Sequence, residues 1–291
     1  MYHIPVMLNE CMEGLQIKPD GIYVDVTFGG GGHSKEILKR LGEKGKLFAF
    51  DVDEDAKRNV PEDNRFTLIQ ANYRHLKRFL KLHGVTRVQG ILADFGISSH
   101  QIDEPSRGFA TRFDAPLDMR MDVTHGLSAA DLVNKLSESE LARIIEEYGE
   151  DRFAKRIAKA IVAARNTLPI TRTLQLADII RNALGNKYSK TDPATRSFQA
   201  LRIHVNQEFE AIERGLIEAE QLLAPGGKLV VVTFHSLEDR LVKRFYHSRC
   251  GRFGEQSRHS LQNDVPTTAP SFSLGKPEKL SASDEEIAEN P

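Results

Sequence analysis

The stretch IYVDVTFGGGGHS, residues 22–34, decides the fold class of this chain. An apolar run over 22–28 predicts a buried strand, four glycines follow it, and a helical pattern over 34–41 begins directly after them. This order lets bare backbone approach a nucleotide-like ligand, because side chains in the loop would fill the space that the ligand needs. A dinucleotide fingerprint needs a third glycine where Ser34 stands, so pyrophosphate binding is disfavoured.

Asp51 lies about twenty residues beyond this loop, where a carboxylate can accept hydrogen bonds from both ribose hydroxyls of a bound nucleoside. It closes a second apolar run over 46–50. Four glycines alone could form a simple flexible turn. Their position between a strand and a helix, with Asp51 at this spacing, favours a ligand-binding loop.

Further apolar runs predict strands over 66–70, 89–94 and 228–234, and helical patterns near 34–41, 53–59 and 74–82 separate the first four strands. This alternation predicts an α/β fold with a Rossmann-like parallel sheet covered on both faces. No strand pattern occurs from about 100 to 205. A loop over 100–121 is followed there by helices predicted to open at the Ser137 capping box, over 152–165 and 174–184, and from Pro193. A turn over 224–227 and a cap at Ser236-Leu237-Glu238-Asp239 complete the pattern.

The predicted architecture is a discontinuous domain, 1–104 and 206–291, interrupted by a helical insert over 105–205. Ligands in such sheets lie beyond the carboxyl ends of the strands, where the strand order reverses. Each predicted strand end carries a usable group: the glycine loop, Asp51, Asn72 with Tyr73, Asp94, and His235.

Composition sets outer limits on function. The 291 residues have a net charge of −1, and Cys11 and Cys250 belong to no disulfide framework or metal cluster, which favours a reducing cytosol. We expect no signal peptide and no membrane span. Residues 151–204 are locally basic, with eleven Lys and Arg against three Asp. This segment is either a solvated helix face or a surface for nucleic-acid phosphates.

Seven segments together resemble one known family: GGGGHS (29–34), DFGISSHQID (94–103), RGF (107–109), PLDMRMD (116–122), YGEDRFAKRIAKAIV (148–162), ATRSFQALRIHVN (194–206) and LAPGGKLVVVTFHSLEDR (223–240). The chain is similar to the ribosomal RNA small-subunit methyltransferase H, or MraW, family over nearly its whole length. The resemblance implies an S-adenosylmethionine-dependent methyltransferase sheet and methylation of N4 of a cytidine in 16S rRNA. Its implied partner is 16S rRNA or the small ribosomal subunit, in the cytoplasm, with a homodimer left open.

The resemblance also implies roles for individual residues. The loop around the methionine part of the cofactor is matched by Gly31, Gly32 and His33. Asp51 matches the family's ribose-binding acid, and Tyr73 matches an aromatic residue near the adenine. The remaining cofactor contacts of the family are matched by Asp94 and Gln101. Two features depart from the family pattern. His100 stands where a proline is more often found. Family members usually continue past Glu-Asn-Pro at 289–291 into a basic segment that forms a final strand, so either this sequence is truncated or the sheet lacks that strand and has an open edge.

Asp94 is the candidate catalytic residue. A sulfonium methyl needs no metal, and a carboxylate that accepts the N–H hydrogens of the cytosine amine can draw its nitrogen toward a reactive geometry. Asp94 could equally be a cofactor ligand alone. The candidate RNA contacts are Arg120, Arg196, Arg202 and His235, although Arg202 could equally form a structural ion pair. Histidines at strand ends, such as His33 and His235, are more often hydrogen-bonded loop residues than catalysts.

Three other functions stay open at this point. A nicotinamide-dependent dehydrogenase is disfavoured by Ser34. A non-catalytic nucleotide-binding adaptor would bind the cofactor and leave no methylated product, and a DNA amino-methyltransferase would differ in its substrate.

Overall fold

The computed structural model describes residues 5–185, 192–251, 270–275 and 280–282. Its strands are β1 (Ile22–Asp25), β2 (Lys46–Asp51), β3 (Phe66–Gln70), β4 (Val88–Asp94) and β5 (Leu223–Val232). They form one sheet in the order β3-β2-β1-β4-β5, and every neighbouring pair is parallel. The predicted Rossmann-like α/β fold is confirmed. The strand order reverses between β1 and β4, which makes their carboxyl ends the expected ligand-binding position.

The helices in chain order are α1 (Leu8–Leu15), α2 (Gly32–Arg40), α3 (Leu76–Leu82), α4 (Ser99–Asp103), α5 (Ala129–Lys135), α6 (Glu138–Gly149), α7 (Ala154–Arg165), α8 (Thr173–Leu184), α9 (Thr195–Asn206), α10 (Glu208–Leu222) and α11 (Ser236–Arg249). The chain divides into two compact units, 1–96 with 209–291 and 97–208. The second unit begins eight residues before the insert expected at 105 and ends three residues after 205. The segment over 289–291 that bears on a final strand lies outside the described residues.

Both faces of the sheet are buried, which explains the continuous apolar strand runs. Tyr23 and Leu47 belong to one core cluster, and their neighbours Val24 and Phe48 belong to another. Because successive strand residues point to opposite faces, a strand covered on both sides has no polar alternation. The sheet is therefore held between two apolar layers.

Two strands, β1 and β5, differ from the prediction by more than one residue, and β5 ends at Val232 instead of residue 234. β1 ends at Asp25 instead of residue 28, because the Asp25 carboxylate accepts the Thr27 N–H at 3.1 Å and turns the chain. β5 begins at Leu223 and includes the predicted turn over 224–227. Its register against β4 shifts between Val88 and Gly90, which accommodates the turn residues as an irregularity within the strand.

Capping side chains fix the starts of several helices. The predicted capping box at Ser137 is present, and Ser128 forms a second box with Asp131 at α5. The prediction for α11 was wrong in detail, since His235 is the N-cap residue and Ser236 is already helical. The α1 and α5 helices were absent from the prediction. No helix within the described ranges is long and apolar enough to span a membrane.

The helical unit has its own core. Fully buried aliphatic side chains from four of its helices contribute to this core, among them Ile145, Ile157, Ile161, Ile180 and Leu201. Phe198 is buried in this core and Phe153 packs against it, so both aromatic rings belong to the packing of the helical unit. In the described residues of 97–208 the only strand-like pairing is an isolated bridge between Pro116 and Arg172.

Candidate active site

The glycine loop after β1 is held from β2. The backbone N–H of Gly29 donates to Oδ2 of Asp51 at 2.8 Å, and the Asp53 N–H donates to Oδ1 at 2.8 Å. The Asn59 amide donates to the Gly29 carbonyl at 2.9 Å. Burial raises the pKa of Asp51 to about 6. Asp51 therefore fixes the loop through both oxygens, and each oxygen keeps one further lone pair for a ligand.

Gly31 is the N-cap residue of α2. Its φ of +74° lies in the left-handed region, and a Cβ at this position would come within 2.9 Å of the Phe28 ring. At Gly30, by contrast, a Cβ would meet nothing within 4 Å. The loop thus presents bare backbone to open space at the N-terminus of a helix, which suits a polar or anionic ligand group.

Asp25 and His33 lie beneath the loop. The Asp25 carboxylate is buried, and its Oδ2 accepts the Ser34 hydroxyl at 2.7 Å. Burial raises the pKa of Asp25 and lowers the pKa of His33. His33 lies with Nε2 3.2 Å from the Val6 carbonyl and Nδ1 3.6 Å from Oδ2 of Asp94. The histidine thus connects the start of α2 to the end of β4 as a neutral ring.

Asp94 ends β4 with an unsatisfied acceptor. Its N–H donates to the Thr27 hydroxyl at 2.7 Å, which ties the end of β4 to the turn after β1. Within the described residues, Oδ1 of Asp94 is buried and has no hydrogen-bond partner. Burial, with the nearby charges of Asp25 and Glu238, raises the pKa of Asp94 to about 7. A buried acceptor without a donor is costly, so this atom is suited to a ligand that supplies a donor or a positive charge.

The two remaining predicted cofactor contacts belong to different units. Tyr73 follows β3, and its ring stacks on Phe95 with centroids 5.8 Å apart and lies where a side chain on Gly215 would clash. Gln101 is in the helical unit, where its side-chain oxygen accepts the Ser98 N–H at 3.1 Å and closes a capping box at α4. Tyr73 is therefore fixed at the edge of the sheet core, and Gln101 has a structural role within its own unit.

His235 and Glu238 form a compact pair after β5. Glu238 is fully buried, and its Oε2 accepts the Phe234 N–H at 2.9 Å and the His235 N–H at 3.4 Å. Its Oε1 lies 3.1 Å from Nε2 of His235. His235 in turn accepts the Glu238 N–H through Nδ1 at 3.4 Å. The histidine proposed as an RNA contact is thus also the cap of α11.

The predicted RNA-binding arginines have different surroundings. Arg120 forms a two-pronged ion pair with Asp118, both contacts at 2.8 Å, inside the loop before α5. Arg202 does the same with Glu208 at 3.0 and 3.1 Å, and the two side chains are only 12% and 8% exposed. Arg196 is exposed and donates to the Glu150 carbonyl at 3.2 Å. Arg202 therefore forms the structural ion pair that was the alternative to an RNA contact.

Sequence reasoning missed Asp25, Thr27, Asn59 and Glu238 as parts of this site. A carboxylate inside an apolar strand, directly before a glycine loop, was the available signal for Asp25. The others act through contacts across the fold and left no local pattern. No cluster of three metal-ligating side chains occurs in the part of the chain that the structure describes.

A parallel sheet with this strand order, a glycine loop after β1 and acids ending β1, β2 and β4 define a Rossmann-like nucleoside-binding enzyme fold. A family model described as the MraW methylase family matches residues 1–291. The chain therefore belongs to the MraW methylase family.

Curated relatives named "Ribosomal RNA small subunit methyltransferase H" agree with this assignment. The protein of Christiangramia forsetii is 52% identical over 247 residues, which cover 85% of this chain and 82% of the relative. That of Flavobacterium johnsoniae is 50% identical over 290 residues, or 99% and 93% of the two chains. That of Cytophaga hutchinsonii is 50% identical over 293 residues, with 100% and 95% covered.

Proposed function

We propose that this protein is an S-adenosylmethionine-dependent methyltransferase that methylates N4 of a cytidine in small-subunit ribosomal RNA. Membership of the MraW methylase family and the names of relatives at about half identity support this class of reaction and substrate. The structural observation that carries the proposal is the buried, unpartnered oxygen of Asp94 beside the glycine loop.

The residues at the strand ends fit the cofactor. Asp51 can accept from ribose hydroxyls through its remaining lone pairs, and the loop at Gly30 and Gly31 leaves space for the methionine part. Three carboxylates converge here, from Asp25, Asp51 and Asp94. Their mutual repulsion disfavours full ionisation of the free protein, so a ligand carrying a positive charge is favoured.

The cofactor supplies a methyl group activated on a positively charged sulfur. Asp94 can then act on the target amine, whose lone pair is delocalised into the cytosine ring. Its free Oδ1 can accept an amine hydrogen and hold the nitrogen near the methyl group. The Thr27 hydroxyl holds the backbone N–H of Asp94, and His33 lies 3.6 Å from Oδ2 of its carboxylate, so the residue is positioned from both sides. The methylated product loses its extra proton without a strong base.

A stripe on α7 supports an RNA partner. The exposed side chains of Lys155, Arg156 and Lys159 follow helical spacing, so they lie on one face, whereas Ile157 and Ile161 of the same helix are buried in the core. The exposed Arg152 lies just before α7, with its guanidinium over the Phe153 ring. Arg172, Arg181 and Arg202 of the same basic segment are instead ion-paired with acids. We therefore assign the phosphate-binding role to this α7 stripe and to Arg196 rather than to Arg202.

The decisive experiment is methyl transfer to defined RNA. Purified protein and cofactor with a labelled methyl group are incubated with naked 16S rRNA, with assembled small subunits, and with DNA of the same sequence, and nucleosides are identified by mass spectrometry. We expect labelled N4-methylcytidine from an RNA substrate, and at least a hundredfold less from Asp94→Asn, on the order of losing a positioned polar contact in the transition state. Label on DNA alone, or on another atom, contradicts the proposal.

A further inference from the structure

Phe234 is an exposed aromatic side chain at the same edge of the sheet. It lies two residues beyond Val232, which ends β5 and pairs in register with Asp94 at the end of β4. Its residue surface is 54% exposed, and among the exposed large apolar residues in the described ranges it is the one with an aromatic ring. An exposed apolar residue is ordinary by itself. The way in which this ring is fixed is less ordinary.

The backbone of Phe234 is fixed by a buried carboxylate. Glu238 is 0% exposed, and it accepts the N–H groups of Phe234 and His235. Burial of a carboxylate is costly unless it is hydrogen-bonded. The two N–H contacts therefore stabilise the buried Glu238 and at the same time fix the turn after β5. The Phe209 ring packs beside His235, with centroids 6.1 Å apart, and supports the same turn.

The ring itself lies against the segment that follows Asp94. A Cβ built on Gly96 would come within 3.3 Å of the Phe234 ring, and Gly96 has a φ of +104° that other residues rarely adopt. One side of the ring is thus covered by backbone, and the residue keeps more than half of its surface open. The Phe234 ring is thus backed on one side and lies two residues beyond Val232, the strand partner of Asp94. Its open face is a flat surface on which another ring can stack.

We propose that Phe234 stacks on the target base of the RNA substrate and holds it for the acceptor of Asp94. The inference rests on the proposed function and adds a residue that binds the substrate. A base must leave its helical stack before its amine can be reached, and aromatic side chains replace the lost stacking in RNA-binding proteins. Phe234 provides the flat face and Asp94 the hydrogen-bond acceptor, which together define the plane and the edge of the base.

Steady-state kinetics test the role of the ring. Phe234→Leu keeps apolar volume and removes the flat face, so kcat/KM for RNA is expected to fall roughly 5- to 150-fold, the range for losing one base–aromatic stack. Phe234→Tyr keeps the ring and is expected to stay near wild type, and an unchanged cofactor Kd in Phe234→Leu excludes misfolding as the cause of its loss. The cofactor Kd is expected to be unchanged in both. Leu82→Ala, at a 74% exposed position on α3, is the matched control.

Fluorescence gives a second, independent readout. The chain contains no tryptophan, so Phe234→Trp introduces a single indole whose emission is quenched when a nucleobase stacks on it. With saturating demethylated cofactor, titration with a cytidine-containing RNA fragment is expected to quench Phe234→Trp and to leave Leu82→Trp unchanged. If the wild-type protein methylates RNA while Phe234→Leu retains full kcat/KM or Phe234→Trp is not quenched, this inference is overturned and the proposed function stands. If wild-type protein methylates no RNA, both fall together.

Discussion

Cofactor binding is expected to release protons, and Asp94 is the main source. Burial and the charges of Asp25 and Glu238 raise its pKa to about 7, and burial raises the pKa of Asp51 to about 6. At pH 6.5 these values leave Asp94 about three-quarters protonated and Asp51 about one-quarter protonated. If a positively charged cofactor binds the ionised forms, these two carboxylates together release about one proton at pH 6.5 and about a tenth of a proton at pH 8.

The sign of the pH dependence follows from the same pKa values. Because the ionised carboxylates are the binding forms, cofactor affinity is expected to be full above about pH 8 and to fall as the pH drops. The loss is about tenfold per pH unit near pH 6.5, and it steepens toward hundredfold per unit below the pKa of Asp51. Asp94→Asn removes this titrating group, so proton release at pH 6.5 is expected to fall by about three-quarters of a proton.

Isothermal titration calorimetry in buffers of different ionisation enthalpy measures this release directly. Wild type, Asp94→Asn and Asp20→Asn, an exposed acid used as a control, are compared at pH 6.5 and 8. The demethylated cofactor, which lacks the sulfonium charge, is expected to release fewer protons than the cofactor itself. Equal proton release by wild type and Asp94→Asn at pH 6.5 would refute the assignment of Asp94 to the cofactor pocket.

Three further predictions address the loop, the helical unit and its basic stripe. Asp51→Ala is expected to weaken cofactor binding by about 1.5–3 kcal/mol, since a charged acceptor for the ribose and the anchor of Gly29 are both lost; an unchanged Kd by calorimetry contradicts this. Changing Lys155, Arg156 and Lys159 together to Gln is expected to lower the slope of log RNA affinity against log salt by roughly 0.7–0.9 per phosphate contact. The matched control changes Lys18, Lys44 and Lys46, which are exposed at the opposite edge of the sheet. Circular dichroism checks that both triple variants keep their helicity. If both triples show the same salt slope, the α7 stripe is only a solvated helix face. Arg202→Ala removes the ion-pair partner of the buried Glu208 carboxylate, so the free energy of unfolding in urea is expected to fall by roughly 3 kcal/mol, and a change below about 1 kcal/mol contradicts a buried ion pair.

The sheet could be predicted from the sequence because its strands are buried on both faces and therefore appear as uninterrupted apolar runs. The helices over 138–149 and 173–184 were predictable from a capping box and a terminal glycine. The α1 helix was not, since it is short and its N-cap residue, Met7, makes no side-chain capping bond. For α5 the signal was present and overlooked: Ser128 precedes Asp131 at capping-box spacing.

The candidate site was predictable only in part. Strand-end positions located Asp51 and Asp94, because the fold class brings carboxyl ends to one edge. The raised pKa of Asp94 depends on Asp25 and Glu238, which are distant in sequence, so no local pattern could reveal it. Likewise, the pairing of Arg202 with Glu208 across the end of α9 decides between a structural and a phosphate-binding arginine, and composition alone favoured neither.

The insertion of a whole helical unit between neighbouring strands has a consequence for how the chain folds. β4 pairs with β5, yet the residues 97–208 must be synthesised between them. Closing so long a chain segment is entropically costly, whereas the helical unit is built from short-range contacts that form quickly. During translation the helical unit can therefore become compact first and shorten the effective loop, and β5 is added to the sheet last. The turn that carries Phe234 and Glu238 would then order only after the whole helical unit and β5 have been made, so this edge of the sheet is completed late during synthesis.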